Sequence, residues 1–118
     1  MKKKQIMKKF KKLRIVSLDF DVVYKSPVLD EANVAISAQI THGKLLIEVD
    51  KDMAYQKQLE SLFHEVVHGI FWKMSISLDD EIHKSVEDVV ISLNTGLTCF
   101  IRDNPEFIME YMRVLNGK

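Results

Sequence analysis

The stretch SLFHEVVHGIFWK, residues 61–73, carries two histidines four apart with an acid directly after the first: His64, Glu65 and His68. In a helix, residues four apart stack one turn above each other on one face. Both imidazoles can then turn to one ion. Glu65, about 100° further round the helix, can reach a water on that ion without displacing them. That is the chemical content of H-E-x-x-H: two zinc ligands and a general base on one rigid element. The ion draws the pKa of its water toward about 7. The glutamate takes the proton as the oxygen attacks a carbonyl, then passes it to the leaving amine.

A chain of this length shows the bare pattern by chance on the order of 1% of the time, so its surroundings must decide. Leu59, Leu62, Phe63, Val66, Ile70 and Met74 recur at spacings of three and four, one apolar stripe running straight through the motif. The two intervening positions are Val66 and Val67, so no charge competes inside the site. The competing reading is a surface pair of histidines, one of them bonded to Glu60 a turn away.

A catalytic zinc needs a third protein ligand and an open position. Glu81, His83, Glu87 and Asp88 stand near the start of a second helix, expected over roughly 80–102, whose inward stripe reads Val86, Val90, Leu93, Leu97 and Phe100. Glu87 lies about 100° from Val86, at the edge of that stripe, and Asp88 about 200° away, pointing outward. His83 falls nearer the stripe centre. Glu87 is the first choice as third ligand, with His83 and Asp88 as alternatives. Cys99 lies far along the same helix and reads as a small core residue. For stabilising a developing oxyanion, His42, Tyr55, His83 and Arg102 all stay open.

These residues need elements to hold them. RIVSLDFDVVY alternates Leu18, Phe20, Val22 and Tyr24 with polar or outward positions, the period of a half-buried strand. VAISAQI at 34–40 and KLLIEV at 44–49 are two further β-branched runs, joined by Thr41-His42-Gly43 as a hairpin link. SPVLDEAN at 26–33 is a loop or a short helix. Asp50 or Asp52 caps the motif helix. Asp103-Asn104-Pro105 stops the second helix and starts a third, with Phe107, Ile108, Tyr111, Met112 and Leu115 inward. Strands followed by helices make the class α+β: a small antiparallel or mixed three-stranded sheet, then three helices.

The 118 residues fit one domain. One cysteine excludes a disulfide framework within the chain and any multi-cysteine zinc ribbon. The net charge is zero, yet residues 1–14 hold eight of the 17 bases and no acid, leaving nine bases against 17 acids in residues 15–118. The basic arm reads as a solubilising, poorly ordered terminus ahead of a domain at 15–118. Nucleic-acid contact is the weaker reading, since no aromatic residues interleave for base stacking. No apolar run matches a signal peptide or a membrane span. The expectation is a soluble cytoplasmic protein with no membrane partner and a reduced thiol.

KLLIEVDKDMAYQKQLESLFHEVVHGI is similar to a strand, a short acidic link and a zincin active-site helix. VEDVVISLNTGLTCFIRDNPEF resembles a helix of small phage and mobile-element metallopeptidases, with Glu-x-x-Val ahead of a Gly-Leu pair and an Asp-Asn-Pro stop. Over roughly residues 15–110 the chain resembles the ImmA/IrrE-like zinc metallopeptidases and the wider minigluzincin group. The resemblance implies a zincin-like fold with a three-stranded sheet beside the motif helix. It implies a zinc held by His64, His68 and Glu87, with Glu65 as base. Some members of that group cleave a repressor and so switch on a mobile element. The chain departs from the better-known members in its short gap from His68 to Glu87, and it has no recognisable helix-turn-helix. The leading expectation is hydrolysis of a protein or peptide substrate by zinc-activated water. The alternative is a non-catalytic binding or regulatory protein of phage or mobile-element origin, with zinc or without metal.

Overall fold

The computed structural model describes residues 7–76 and 85–117. Six strands precede three helices. They are β1 (Lys12–Ile15), β2 (Leu18–Lys25), β3 (Val28–Leu29), β4 (Ala35–Ile36), β5 (Ala38–Thr41), β6 (Leu46–Asp50), α1 (Tyr55–Lys73), α2 (Val86–Asp103) and α3 (Pro105–Leu115). The α+β class is as expected, but the sheet has four strands where three were expected. Its order is β1-β2-β6-β5, and β3 pairs with β4 in a separate two-stranded sheet. The sheet is mixed: β2 and β6 run parallel, the other two pairings antiparallel.

The extra strand comes from the basic segment. Leu13 and Ile15 alternate with Lys12 and Arg14, and both apolar side chains are fully buried. Upstream, the Lys8 amide N–H donates to the Tyr55 hydroxyl, and Phe10 exchanges hydrogen bonds with the Tyr24 hydroxyl. Residues 8–14 are thus tied to the body rather than forming the loose arm expected over 1–14. Lys8, Lys9, Lys11 and Lys12 are exposed, while Phe10 packs edge to face on Phe107.

VAISAQI, read as one strand, breaks at Ser37 into β4 and β5, which belong to different sheets. The link Thr41-His42-Gly43 does join two antiparallel strands, through a 3-10 turn over His42–Lys44 closed by Leu45 in the left-handed region. The motif helix starts at Tyr55 without a side-chain cap. Asp50 instead accepts the Asp52 N–H, and Gln58 donates to the carbonyls of Lys51 and Met53, fastening the turn before α1. The second helix begins at Val86, capped by Ser85 in a capping box with Asp88.

The core is the apolar face of α1 laid on the sheet, closed by α2 and α3. Leu59, Leu62, Val66 and Ile70 meet Phe20, Ile47 and Val49, with Phe100 and Phe107 from the later helices. Two glycines set the closeness of this packing. At Gly69 a β-carbon would stand 2.9 Å from Ile15 Cδ1 and 3.2 Å from Ile40 Cδ1, so α1 lies low on the sheet directly after His68. Gly96 of α2 is pressed against Ile70 of α1. Asn104, between α2 and α3, covers the outer edge of β1. Its Oδ1 accepts the Arg14 N–H, and its Nδ2 donates to the Arg14 and Phe100 carbonyls.

Far from the motif, the buried Glu110 accepts hydrogen bonds from the Tyr55 hydroxyl at 2.7 Å and from Arg113 at 2.6 and 3.0 Å. Burial and this carboxylate push the Tyr55 hydroxyl up to about 12. Arg113 draws the Glu110 carboxyl down from 4.5 to about 2. A folded-state value below the unfolded one means that ionised Glu110 adds stability above pH 4.5, which is lost as the pH falls toward about 2. Glu110→Gln is therefore expected to flatten this part of the acid limb when urea midpoints are followed against pH. Parallel acid limbs in the two proteins would show that Glu110 does not carry it.

Candidate metal centre

α1 brings its three motif residues together as its spacing dictates. His64 and His68 are exposed, and their Nε2 atoms approach to 3.2 Å. The rings stand edge to face, with centroids 4.9 Å apart. The two imidazole nitrogens stand at hydrogen-bond distance on one exposed face of α1. Glu65, 100° round the helix, is only 8% exposed because it turns toward the sheet. Burial raises its pKa above the ordinary 4.5. Charges on His68 and His64, and the Ile40 N–H facing its carboxylate, pull the other way.

The strand that meets Glu65 is an edge. β5 pairs only with β6, Ala38 opposite Val49 and Ile40 opposite Ile47. The Asp50 N–H bonds to the Ser37 carbonyl. In an antiparallel ladder this makes 37/50 a hydrogen-bonded pair, so the main-chain groups of Ala38 and Ile40 point away from β6. The Ile40 N–H accordingly faces the Glu65 carboxylate and favours its charged form. A groove of about 370 Å³ runs between this edge and α1, lined by Ser37, Ala38, Lys57, Glu60, Ser61, His64 and Glu65.

Directly after β5, the His42 ring stacks on Trp72, centroids 4.6 Å apart and planes within 18°. Trp72 lies one turn beyond His68 on α1. Burial lowers the His42 pKa below its ordinary value, and His68 adds to the effect.

The other nominated residues stand apart from this cluster. Phe63 packs against Phe100 and Tyr111, and Ile70 against Gly96, so α2 runs antiparallel to α1 along the flank that carries Phe63 and Ile70. His64 and His68 sit roughly 100–140° round from Phe63. Glu87, exposed in the first turn of α2, is nine residues before Gly96, about 14 Å along that helix. The structure therefore does not bring Glu87 to the histidines. Asp88 is engaged by Ser85, accepting from its N–H and its hydroxyl. His83 and Glu81 lie outside the described residues. Among the described residues no group of three His, Cys, Asp or Glu side chains gathers for a metal ion. Of the residues considered for an oxyanion, Tyr55 is bound to Glu110 and Arg102 to Asp103 at 2.8 Å. Sequence reasoning placed His42 in a plain turn, and nothing in the turn's residues announced the stack on Trp72 or the edge beside Glu65.

No helix among the described residues is long and apolar enough to cross a membrane. Comparison of the chain with protein-family models, curated proteins and solved structures finds no match.

Proposed function

We propose that this chain hydrolyses a peptide bond in a protein or peptide substrate, as a small zinc metallopeptidase of the ImmA/IrrE-like kind. One observation carries the reading: the Nε2 atoms of His64 and His68 stand 3.2 Å apart beside the buried carboxylate of Glu65. Two nitrogens each about 2.05 Å from one tetrahedral zinc lie about 3.3 Å apart. The pair needs almost no movement to share an ion. Zinc bound there supplies an acidified water and polarises a carbonyl.

The chain's own residues divide the remaining work. His64 and His68 would hold the ion through Nε2. Glu65 takes a proton at its carboxylate and returns it to the leaving nitrogen. The carboxylate lines the groove, with the Ile40 N–H facing it. The outward main-chain groups of Ala38 and the Ile40 carbonyl offer an extended substrate a strand to pair with. Glu87 remains the third ligand nominated by the sequence, and this role requires the first turn of α2 to move toward the histidines.

The test is bound metal, by elemental analysis after zinc reconstitution and dialysis. About one zinc per chain, lost in His64→Ala/His68→Ala, is the expected result. Glu87→Ala belongs in the same series: retained zinc would take Glu87 out of the ligand set. No zinc in the wild type would remove the peptidase reading. The missing third ligand among the described residues favours a second reading, a non-catalytic binding or regulatory protein. Zinc-loaded wild type that leaves a broad peptide library uncut would put that reading first.

A further inference from the structure

We propose that the outer flank of α2 is a self-association surface, on which a second copy of this chain lays its own α2 antiparallel across a two-fold axis. Neither metal at His64 and His68 nor peptidase activity is required for this.

α2 runs 18 residues, yet only Gly96 and Phe100 of it are buried. Both turn toward α1, Gly96 against Ile70 and Phe100 against Phe63. At 100° per residue, Val86, Val90, Leu97 and Ile101 form a second stripe, centred roughly 90° round the helix from those contacts. Val86, Val90 and Ile101 are 78%, 52% and 53% exposed, and Leu97 is half-buried. Residues 86–95 bury none completely against their own core. An amphipathic helix takes most of its stability from an apolar partner, and an apolar patch left on the surface marks an interaction site.

The spacing decides the occupant. Val86, Val90, Leu97 and Ile101 are separated by four, seven and four residues, the same in either direction. Laid antiparallel on itself, the helix sets Val86 against Ile101 of the other copy and Val90 against Leu97. A two-fold interface needs such a self-complementary surface. The midpoint falls between Leu93 and Asn94. Asn94 is exposed at the border of the stripe. Its amide carries donors and an acceptor, so it can pair with its own copy across the axis. One polar residue at such a place fixes register. The charges fit the same arrangement. The first turn of α2 holds Glu87 and Asp88, and the last turn holds Arg102, whose side chain is 67% exposed. Antiparallel packing brings the acidic turn of each copy to Arg102 of the other and opposes the two helix dipoles. A parallel pair would set acid on acid and arginine on arginine.

Sedimentation velocity over a concentration series tests this on the full chain. Wild type is expected to dimerise with a Kd of about 1–100 µM, the weak end suited to a small interface. Val90→Glu puts a charge on the stripe and is expected to raise the Kd at least about tenfold. Glu87→Arg and Arg102→Glu, each alone, are expected to weaken the dimer about threefold to tenfold. An equimolar mixture of those two is expected to regain wild-type affinity, because both ends of the mixed dimer then pair opposite charges. All three positions are exposed, so each variant is expected to keep the wild-type thermal midpoint below the association range, and a lowered midpoint marks one that has merely lost its fold. A wild type monomeric up to about 1 mM overturns the dimer and leaves the flank to residues 77–84 of the chain or to another protein. A dimer that Val90→Glu leaves intact overturns this surface, and a mixture no tighter than its components overturns the antiparallel arrangement.

Discussion

Under the proposed peptidase reading, Glu65→Gln is expected to leave the protein folded and able to bind zinc, and to lower peptide hydrolysis by about 10²–10⁴-fold, the range supplied by a positioned general base. Glutamine keeps the volume and an oxygen to accept the Ile40 N–H, and it removes the carboxylate that adjoins His64 in the sequence. The same change is expected to leave stability unchanged or raised at neutral pH. The Glu65 carboxyl has its pKa raised by burial, so its ionised form is disfavoured in the folded state and costs stability once the pH exceeds the ordinary value of 4.5. A neutral side chain removes that cost. Activity lost while stability holds is the signature of a group kept for chemistry. Hydrolysis rates with zinc-loaded proteins, read beside thermal midpoints, check both halves. A variant that cuts as fast as wild type would take Glu65 out of the reaction.

The second large effect concerns the crossing of α1 and α2. A methyl group at Gly96 would overlap Cγ2 of Ile70, a fully buried β-branched side chain with no room to swing. Overpacking of this kind costs about 1–3 kcal/mol, against a gain of about 1 kcal/mol from replacing a helical glycine by alanine. Gly96→Ala is expected to lose up to about 2 kcal/mol net, and Gly96→Val more. Ile70→Leu moves the branch off the β-carbon and opens the space. Gly96→Ala with Ile70→Leu should therefore be more stable than the sum of the two single changes, by about 0.5–3 kcal/mol of coupling. Urea unfolding of the four proteins measures the cycle. Additive losses would mean that the helices do not meet at this pair.

Much of the helical half was legible in the sequence because each helix is amphipathic. The stripe through Leu59, Leu62, Val66 and Ile70 is the buried face of α1, and Pro105 opens α3, whose buried residues are Phe107, Glu110 and Val114, while Met112 and Leu115 of the expected inward face are exposed. The stripe of α2 was legible too, yet only Gly96 and Phe100 are buried, and Val86 and Val90 stay exposed because their end of the helix lies beyond α1. The strands were harder. β1 sits in a lysine-rich segment, and its hairpin turns on Val16-Ser17, with Val16 in the left-handed region at φ 59°. No glycine or asparagine marks that turn, so β1 and β2 read as one strand. β4 and β5 merged for a similar reason: nothing at Ser37 tells a reader that pairing changes sheets.

By itself the sequence determined the class, the motif helix and the pairing of His64 with His68, because spacing along a helix fixes which side chains share a face. Tertiary structure decided what stands opposite them. That depends on the strand order β1-β2-β6-β5, which sets the free edge of β5 beside Glu65 and carries His42 to Trp72. It depends also on the glycine contact that places α2 on the other flank of α1, and with it Glu87 away from the histidines. Local periodicity records which face an element buries. It does not record which neighbour covers that face, since any apolar surface of fitting shape can do so.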